Sequence, residues 1–169
     1  DKGATLPNDG VAYGRLLVRG PWIIKKYFKS EESAVDADNW FDTGDISSID
    51  PDGYMAIVDR EKDVIKSGGE WISSIDLENV IANHPDVLQT AVVGIPHPKW
   101  DERPLLFIVS NSGNEFDRSE LDDLMLEKFE KWQLPDDVVF LKELPIGATG
   151  KVKKIDLRQE YTDHYMKEA

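Results

Sequence analysis

Asp45 and Arg60 stand at the two ends of a predicted β-hairpin, where their side chains could face one ligand. Residues 46–49 and 54–58 are predicted to be two strands, and the Pro and Gly within residues 50–53 suit the reversal between them. An ionised carboxylate has two acceptor oxygens, which suit the adjacent hydroxyls of a ribose, whereas a Thr-Gly-Asp sequence taken alone is a common turn. The sequence therefore offers a candidate diol-binding pair.

Residues 59–71 combine dense charge with two adjacent glycines. Six of the first eight side chains are charged, yet the β-branched pair Val64-Ile65 predicts a short strand inside the run. Gly68 and Gly69 follow, and adjacent glycines weaken strands and are usually kept where the backbone bends or where something approaches it closely. The pattern indicates either a ligand that passes over the main chain or a solvated turn with a β-bulge.

Lys151 follows a loop, residues 145–150, whose glycines superficially resemble those of a phosphate-binding P-loop. The motif fails that test, because Pro145 occupies the position of the first glycine and Val152 replaces the Ser or Thr that would reach magnesium. A lysine after a glycine turn is common, so the residue type alone does not assign a role to Lys151.

Three motifs together resemble one family. Residues 59–74 resemble the hinge and following loop of the adenylate-forming acyl-CoA synthetase superfamily, in the form found in medium- and long-chain fatty-acyl-CoA ligases. Upstream, residues 40–45 resemble the ribose-binding turn of that family, and downstream, residues 147–152 resemble its catalytic-lysine loop. The order and spacing match only the C-terminal part of such an enzyme.

The resemblance implies a role for each candidate residue. Asp45 and Arg60 would bind the ribose of ATP or AMP, and Lys62 would be the hinge between two domains. Lys151 would stabilise the charge that develops in adenylation, and Lys66 would serve the thioester step. The loop after Lys66 would line the passage for the pantetheine arm of coenzyme A, through Ser67, Gly68, Gly69 and Trp71. Trp71 packs either against that arm or in the protein core.

The order of predicted elements positions these motifs. From about residue 61 it reads strand, helix, strand, strand, helix, strand, helix, which predicts an α+β lid domain with a mainly three-stranded sheet packed by helices. Residues 1–60 are interpreted as the β-rich end of a larger adenylation domain, and residues 61–169 as the mobile lid. The predicted strands are at 14–20, 64–65, 87–95, 105–110 and 138–141. The predicted helices are a short one at 21–27, one capped by Ser73, one capped by Ser119 with Trp132 on its apolar face, and a final helical segment from Lys151.

The amino-acid composition limits the classes of molecule that the chain could bind. The chain has 169 residues, with 33 acidic against 20 basic side chains and a net charge of −13, which argues against nucleic acid or an anionic membrane as a partner. It has no cysteine, so neither a disulfide framework nor a thiolate metal site is possible. The three histidines are far apart in sequence and predict no metal site. The absence of a long apolar run favours a cytoplasmic protein without a membrane segment.

The resulting hypothesis is a fragment of an ATP-dependent acyl-CoA ligase. Its substrates would be ATP with Mg²⁺, coenzyme A and a carboxylic acid, which is expected to be a medium- or long-chain fatty acid. Its main partner would be its own N-terminal domain, and the fragment alone is expected to be inactive. The alternatives are the lid of an aryl-acid ligase, a carrier-protein loading domain or a luciferase-like enzyme, or a non-catalytic interaction module of the same fold. Neither the acyl substrate nor the oligomeric state follows from this sequence.

Overall fold

The structure, a computed structural model, describes residues 3–167. The outermost residues of the two predicted domains, 1–2 and 168–169, lie outside the described residues. Contacts divide the chain into two compact units, Asp1–Lys62 and Asp63–Ala169.

The first unit is a three-stranded antiparallel sheet in the order β1-β2-β3. Its strands are β1 (Tyr13–Val18), β2 (Phe41–Ile49) and β3 (Met55–Arg60). The predicted hairpin is confirmed, since Asp50 and Tyr54 close the reversal with an N–H···O bond of 2.9 Å. β2 begins earlier than predicted, so that the expected ribose-binding turn is part of a strand.

The predicted helix at residues 21–27 is wrong, because this segment forms turns. A single bond from the Ile23 N–H to the Gly20 carbonyl, at 3.1 Å, marks one of them. A short helix needs tertiary packing of its apolar side to persist. Trp22 is 90% exposed and Phe28 is 91% exposed, so no such packing stabilises a helix here.

The second unit is an α+β fold built on a five-stranded sheet, and the predicted fold class is confirmed. The sheet order is β5-β4-β7-β6, and β8 pairs in parallel with β7 on the side away from β6. Strands β6, β7 and β8 correspond to the three main strands that the sequence predicted, and the strand predicted at 64–65 is β4, shifted to Ile65–Ser67. Strand β5 was not predicted, and it pairs with β4 in a short hairpin. The elements are β4 (Ile65–Ser67), β5 (Glu70–Ile72), α1 (Ser74–Ile81), β6 (Val87–His97), β7 (Asp101–Ser110), α2 (Arg118–Leu126), β8 (Asp137–Phe140) and α3 (Lys154–Glu160), with short 3-10 helices at Lys131–Gln133 and Tyr165–Lys167.

Apolar side chains fill both faces of this sheet. Neighbouring residues of a strand point to opposite faces, so Val92 and Val93 of β6 belong to different clusters. On the first face, β6 and β7 pack against Leu77 of α1 and Leu121 of α2. On the second face, they pack against Leu157 of α3. The near-continuous apolar runs of β6 and β7 are what a strand buried on both faces requires.

The helix ends follow the capping rules with one correction. Ser73 caps α1 as predicted, and its side chain accepts a hydrogen bond of 3.1 Å from the Asp76 N–H. The second helix is capped by Asp117 and not by Ser119, because the Asp117 carboxylate accepts the Ser119 N–H at 2.9 Å. This helix ends at Leu126, so Trp132 lies in the following 3-10 helix and not on its face.

Across residues 3–167, none of the helices combines the length and the apolar character that crossing a lipid bilayer requires.

Candidate functional site

Asp45 and Arg60 are brought together by direct strand pairing. They are register partners in β2 and β3, and Arg60 Nε lies 2.8 Å from Asp45 Oδ1. The sequence placed Asp45 at the start of a hairpin, but the structure places it inside β2, next to a register shift between Ile46 and Ser47. A β-bulge of this kind re-aims a side chain out of the regular ladder.

Polar contacts hold the backbone around Asp45. The Thr43 hydroxyl accepts the Asp45 N–H at 3.1 Å and donates to the Leu16 carbonyl at 3.0 Å, which joins β2 to β1. The Gly44 N–H donates to Asp42 Oδ1 at 2.9 Å, and Gly44 has a φ of +71° that an L side chain adopts only with strain. Sequence reasoning missed Thr43, although its place two residues before Asp45 is a typical side chain-to-backbone spacing.

Charged side chains surround the same bulge. Arg15 forms an ion pair with Asp42, and its Nε lies 3.4 Å from Glu61 Oε1. The hydrogen bond that Arg15 donates to the Asp42 carboxylate, and then the charges of Asp42 and Glu61, raise the pKa of Arg15. The Glu61 N–H donates to the Gly44 carbonyl at 3.0 Å. These contacts tie the end of β3 to the segment that carries Asp45.

Gly68 and Gly69 form the turn of the β4–β5 hairpin. Their φ angles of +60° and +90° suit the type I′ turn that is favoured in two-residue hairpins. A Cβ on Gly68 would lie 3.2 Å from Trp100 Cε3, whereas a Cβ on Gly69 would meet nothing within 4 Å. The turn itself thus requires both glycines, and Trp100 adds a packing reason at Gly68.

The side chains of this hairpin divide between its two sides. Lys66 is exposed and lies opposite Trp71, which is half-buried. Ser67 is buried, and its hydroxyl accepts a hydrogen bond of 3.0 Å from Arg103 Nη1. The Ser67 side chain therefore faces the protein interior, and only its backbone is placed to line a passage.

Lys151 lies in a loop that is closed by its own backbone. Ile146 and Val152 form an isolated bridge, and the Gly147 N–H donates to the Lys151 carbonyl at 2.8 Å. Gly150 precedes Lys151 with a φ of +78°, and the Lys151 side chain is exposed. The final helix begins at Lys154 and not at Lys151, so the lysine stands on a loop and not on a helix.

The remaining candidate, Lys62, is exposed and is the last residue of the first unit. Asp45 and Arg60 belong to the first unit, and Lys66 and Lys151 belong to the second. Within the second unit, Lys66 lies in β4, next to Ser67, which pairs with β7. Lys151 lies in the loop after β8. The roles of all these residues stay predictions.

The three histidines have partners within the protein. His84 stacks on Phe116 with ring centroids 4.6 Å apart, and its Nδ1 accepts the Asp86 N–H at 3.2 Å. His97 Nδ1 accepts the Lys99 N–H at 3.1 Å. His164 Nε2 lies 2.8 Å from Asp137 Oδ2. Among residues 3–167, no group of three His, Asp or Glu side chains is arranged to hold a metal ion.

A family comparison agrees with the fold. Residues 76–151 match the family described as AMP-binding enzyme C-terminal domain. Most of the second unit is therefore similar to the C-terminal domain of AMP-binding enzymes, and the resemblance drawn from the three motifs is confirmed. The matched region ends at Lys151 and begins after the Gly68–Gly69 hairpin.

Similar proteins are acyl-CoA ligases. The chain is 53% identical over 163 residues to the 3-methylmercaptopropionyl-CoA ligase of Ruegeria pomeroyi, covering 96% of this chain and 30% of the relative. It is 47% identical over 163 residues to the medium-chain-fatty-acid–CoA ligase of Ectopseudomonas oleovorans, with the same coverage of 96% and 30%. The crystal structure of ATP-bound MatB from Rhodopseudomonas palustris superposes with a TM-score of 0.83 at 31% identity, covering 95% of this chain and 32% of that one. The chain thus spans about a third of the length of the proteins that it matches.

Proposed function

We propose that this chain is the C-terminal part of an AMP-forming acyl-CoA ligase. The observation that carries the proposal is the 53% identity, over 96% of this chain, to a 3-methylmercaptopropionyl-CoA ligase. The complete enzyme would join a carboxylate to ATP with Mg²⁺, giving acyl-adenylate and pyrophosphate. Coenzyme A would then attack the acyl carbon through its thiol, giving the acyl-CoA thioester, AMP and a proton.

Asp45 and Arg60 would hold the ribose through both steps. An ionised carboxylate has about four lone-pair sites, so the contact with Arg60 Nε leaves capacity for two ribose hydroxyls. Arg60 is more exposed than Asp45, which suits a guanidinium that adds a donor from the outer side of the ligand. The polar contacts around the bulge support this role, because they fix the carboxylate before a ligand arrives.

Two loops of the second unit would serve the two half-reactions in turn. Lys151 would present a cation to the acyl carboxylate and the α-phosphate while pyrophosphate leaves. After rotation of the unit about Lys62, the Lys66–Gly69 hairpin would enter the site and admit the pantetheine arm. The separate attachment of the two segments supports this scheme, since the hairpin pairs with β7 of the sheet whereas the Lys151 loop is closed by its own isolated bridge.

The names of the relatives support a class of substrate. The Ruegeria protein is named for a short sulfur-containing acid and the Ectopseudomonas protein for medium-chain fatty acids. A further relative, 48% identical, is named for long-chain fatty acids. We propose an aliphatic carboxylic acid as the substrate, with the N-terminal part of the enzyme supplying the acyl pocket. A cytoplasmic location stays a prediction of the sequence.

Replacement of Lys151 tests this function in the complete enzyme. Lys151→Ala should slow ATP–pyrophosphate exchange by about 100- to 1,000-fold, because a preorganised cation at the transition state is lost. Thioester formation from supplied acyl-adenylate should stay near the wild-type rate. Lys142→Ala, which removes another exposed lysine from the segment after β8, is the matched control and should change neither rate.

Two results would count against the proposal. Equal loss of both half-reactions in Lys151→Ala would contradict the division of labour between the loops. A wild-type enzyme that forms no acyl-adenylate from a panel of aliphatic and aromatic acids would contradict the ligase function itself and favour an interaction module.

A further inference from the structure

The β4–β5 hairpin is attached to the rest of the sheet through one short stretch of β7. β4 pairs with β7 at the single position Ser67–Asp101. The Gly68 N–H donates to the Trp100 carbonyl at 2.9 Å, and the Lys66 N–H donates to Glu102 Oε2 at 3.0 Å. Because β4 pairs with β7 at only one register position, side-chain contacts also fix the orientation of this three-residue strand.

Arg103 supplies the side-chain contact from the buried side of the hairpin. It is 7% exposed, and a guanidinium has five N–H donors in a fixed fork. Nε and Nη2 donate to the two carboxylate oxygens of Asp136 at 2.7 and 2.6 Å, and Nη2 also donates to the Leu134 carbonyl at 3.0 Å. Nη1 donates to the Trp132 carbonyl at 2.7 Å and to Ser67 Oγ at 3.0 Å.

Every donor of Arg103 is therefore used, and one of them is used on the hairpin. Because the guanidinium is planar and held by Asp136 in a bidentate contact, it cannot turn without breaking both of these charge-assisted hydrogen bonds. Neighbouring strand residues point to opposite sides, so holding Ser67 inward keeps Lys66 outward. The alternation of buried Ile65, exposed Lys66 and buried Ser67 shows this orientation.

Lys154 makes a comparable contact between the start of α3, which follows the Lys151 loop, and α1. Its Nζ donates to Ser74 Oγ at 2.7 Å and lies 2.7 Å from Glu78 Oε1, and its side chain is only 14% exposed. The same Glu78 oxygen accepts the Val92 N–H at 2.7 Å, which ties the contact to the edge of the sheet. Lys154 begins α3 directly after the loop of Lys151.

We propose that Arg103 is a positioning residue for the thioester step, acting through Ser67 on the Lys66–Gly69 hairpin. The inference rests on the proposed ligase function, in which this hairpin admits the pantetheine arm. Arg103 touches neither nucleotide nor acyl group in this role. Lys154 holds the start of α3, directly after the Lys151 loop, and provides a matched, largely covered cation whose loss should affect the opposite half-reaction.

Hydrogen–deuterium exchange on the chain itself tests the positioning without any activity. Arg103→Lys keeps the charge but cannot reproduce the five-donor fork, and Ser67→Ala removes only the contact with the hairpin. In both variants the amide hydrogens of residues 66–72 should exchange about 10-fold faster than in the wild type, and the exchange rates of residues 146–152 should be unchanged. Lys154→Met should show the reverse pattern. Uniform acceleration in both segments, or none in residues 66–72, would overturn the inference.

Half-reaction kinetics in the complete enzyme test the consequence. Arg103→Lys should lower kcat/KM for coenzyme A by about 100-fold, because displacement of a positioning loop by about 1 Å has an effect of that size. Pyrophosphate exchange should stay near wild type, whereas Lys154→Met should lower that exchange and spare the thioester step. If the wild-type enzyme lacks both half-reactions, the proposed function fails. If the wild type has both and Arg103→Lys lowers them equally or leaves both unchanged, only this inference fails.

Discussion

The two compact units differ in how they bury apolar side chains. In the second unit, apolar residues fill both faces of the five-stranded sheet and are covered by α1, α2 and α3. In the described part of the first unit, Ile46 is the apolar residue that is buried, while Trp22, Phe28 and Ile57 are exposed. The first unit keeps its shape through strand pairing and the polar contacts around Thr43 and not through a core of its own.

This difference explains what holds the residues of each candidate site in position. Asp45 and Arg60 are register partners in adjacent strands, so their contact follows from the backbone ladder. Lys66 stands on strand β4 of the β4–β5 hairpin and Lys151 on a loop, and a core on both sides of the sheet gives both segments a rigid base. The exposed apolar side chains of the first unit are, under the proposed function, the surface that the preceding part of the enzyme covers.

The largest expected effect compares the interiors of the two sheets. Phe107 lies in the central strand of the second unit, is fully buried and packs edge-to-face on Tyr161. Phe107→Ala should lower the free energy of unfolding by about 3–5 kcal/mol, from lost burial and the cavity that remains. Ile57→Ala in β3 should change it by less than about 0.5 kcal/mol, because that side chain is 56% exposed.

Denaturant unfolding of the chain, followed by hydrogen exchange in each unit, measures both changes. Should Ile57→Ala cost as much as Phe107→Ala, the first unit would have an apolar core after all, and the comparison would be broken. In the complete enzyme we expect Ile57→Ala to lower the free energy of unfolding by more than in this chain, because water would then be excluded from around the Ile57 side chain.

A smaller effect compares two threonine hydroxyls. Thr43→Val leaves the Asp45 N–H and the Leu16 carbonyl without their partner, and should destabilise the first unit by about 1–3 kcal/mol. Thr90 is the opposite case: within the described residues, its hydroxyl oxygen is buried and makes no hydrogen bond. Thr90→Val should therefore be neutral or stabilise the second unit by up to about 1 kcal/mol.

Amide exchange at residues 41–49 and 87–97 separates these two effects. An unchanged first unit in Thr43→Val would mean that strand pairing alone fixes the bulge, and a destabilised second unit in Thr90→Val would mean that the hydroxyl has a role in folding.

The smallest effect is a pH dependence of the second unit. Burial, followed by the charges of Asp136 and Asp137, raises the pKa of Tyr165, whose hydroxyl donates to the Pro104 carbonyl at 2.8 Å. The unfolded chain would ionise this phenol near its ordinary pKa of about 10, while the folded chain keeps the proton to higher pH. The resulting stability is complete below about pH 10 and is lost as the pH rises above it.

Tyr165→Phe should cost about 1 kcal/mol at pH 7 from the lost hydrogen bond, and its stability should fall less steeply than that of the wild type above about pH 10. Unfolding midpoints between pH 7 and 11 measure the two slopes. Tyr54→Phe, which changes an exposed residue of the first unit, is the control and should leave the alkaline slope of the second unit unaltered. Identical slopes for Tyr165→Phe and wild type would show that this phenol is not the responsible group.

Periodicity and capping predicted the elements of the second unit well, because long apolar runs such as β6 and β7 have few other ways to be buried. The same reasoning failed at residues 21–27, where the local pattern suits a helix but no neighbouring surface packs against it. It also misplaced the cap of α2, since Asp117 and Ser119 are both good caps and only the backbone path selects one.

The sequence by itself determined the family, the order of the elements and the identity of the candidate residues, because spacing along the chain carries that information. Only the tertiary structure decided that Asp45 contacts Arg60 across a bulged strand pair and that the Ser67 side chain faces inward. It also decided that all five N–H groups of Arg103 donate to residues far from it in sequence. Those contacts join residues far apart in sequence, and strand register and burial, which no local pattern specifies, bring them within hydrogen-bond distance.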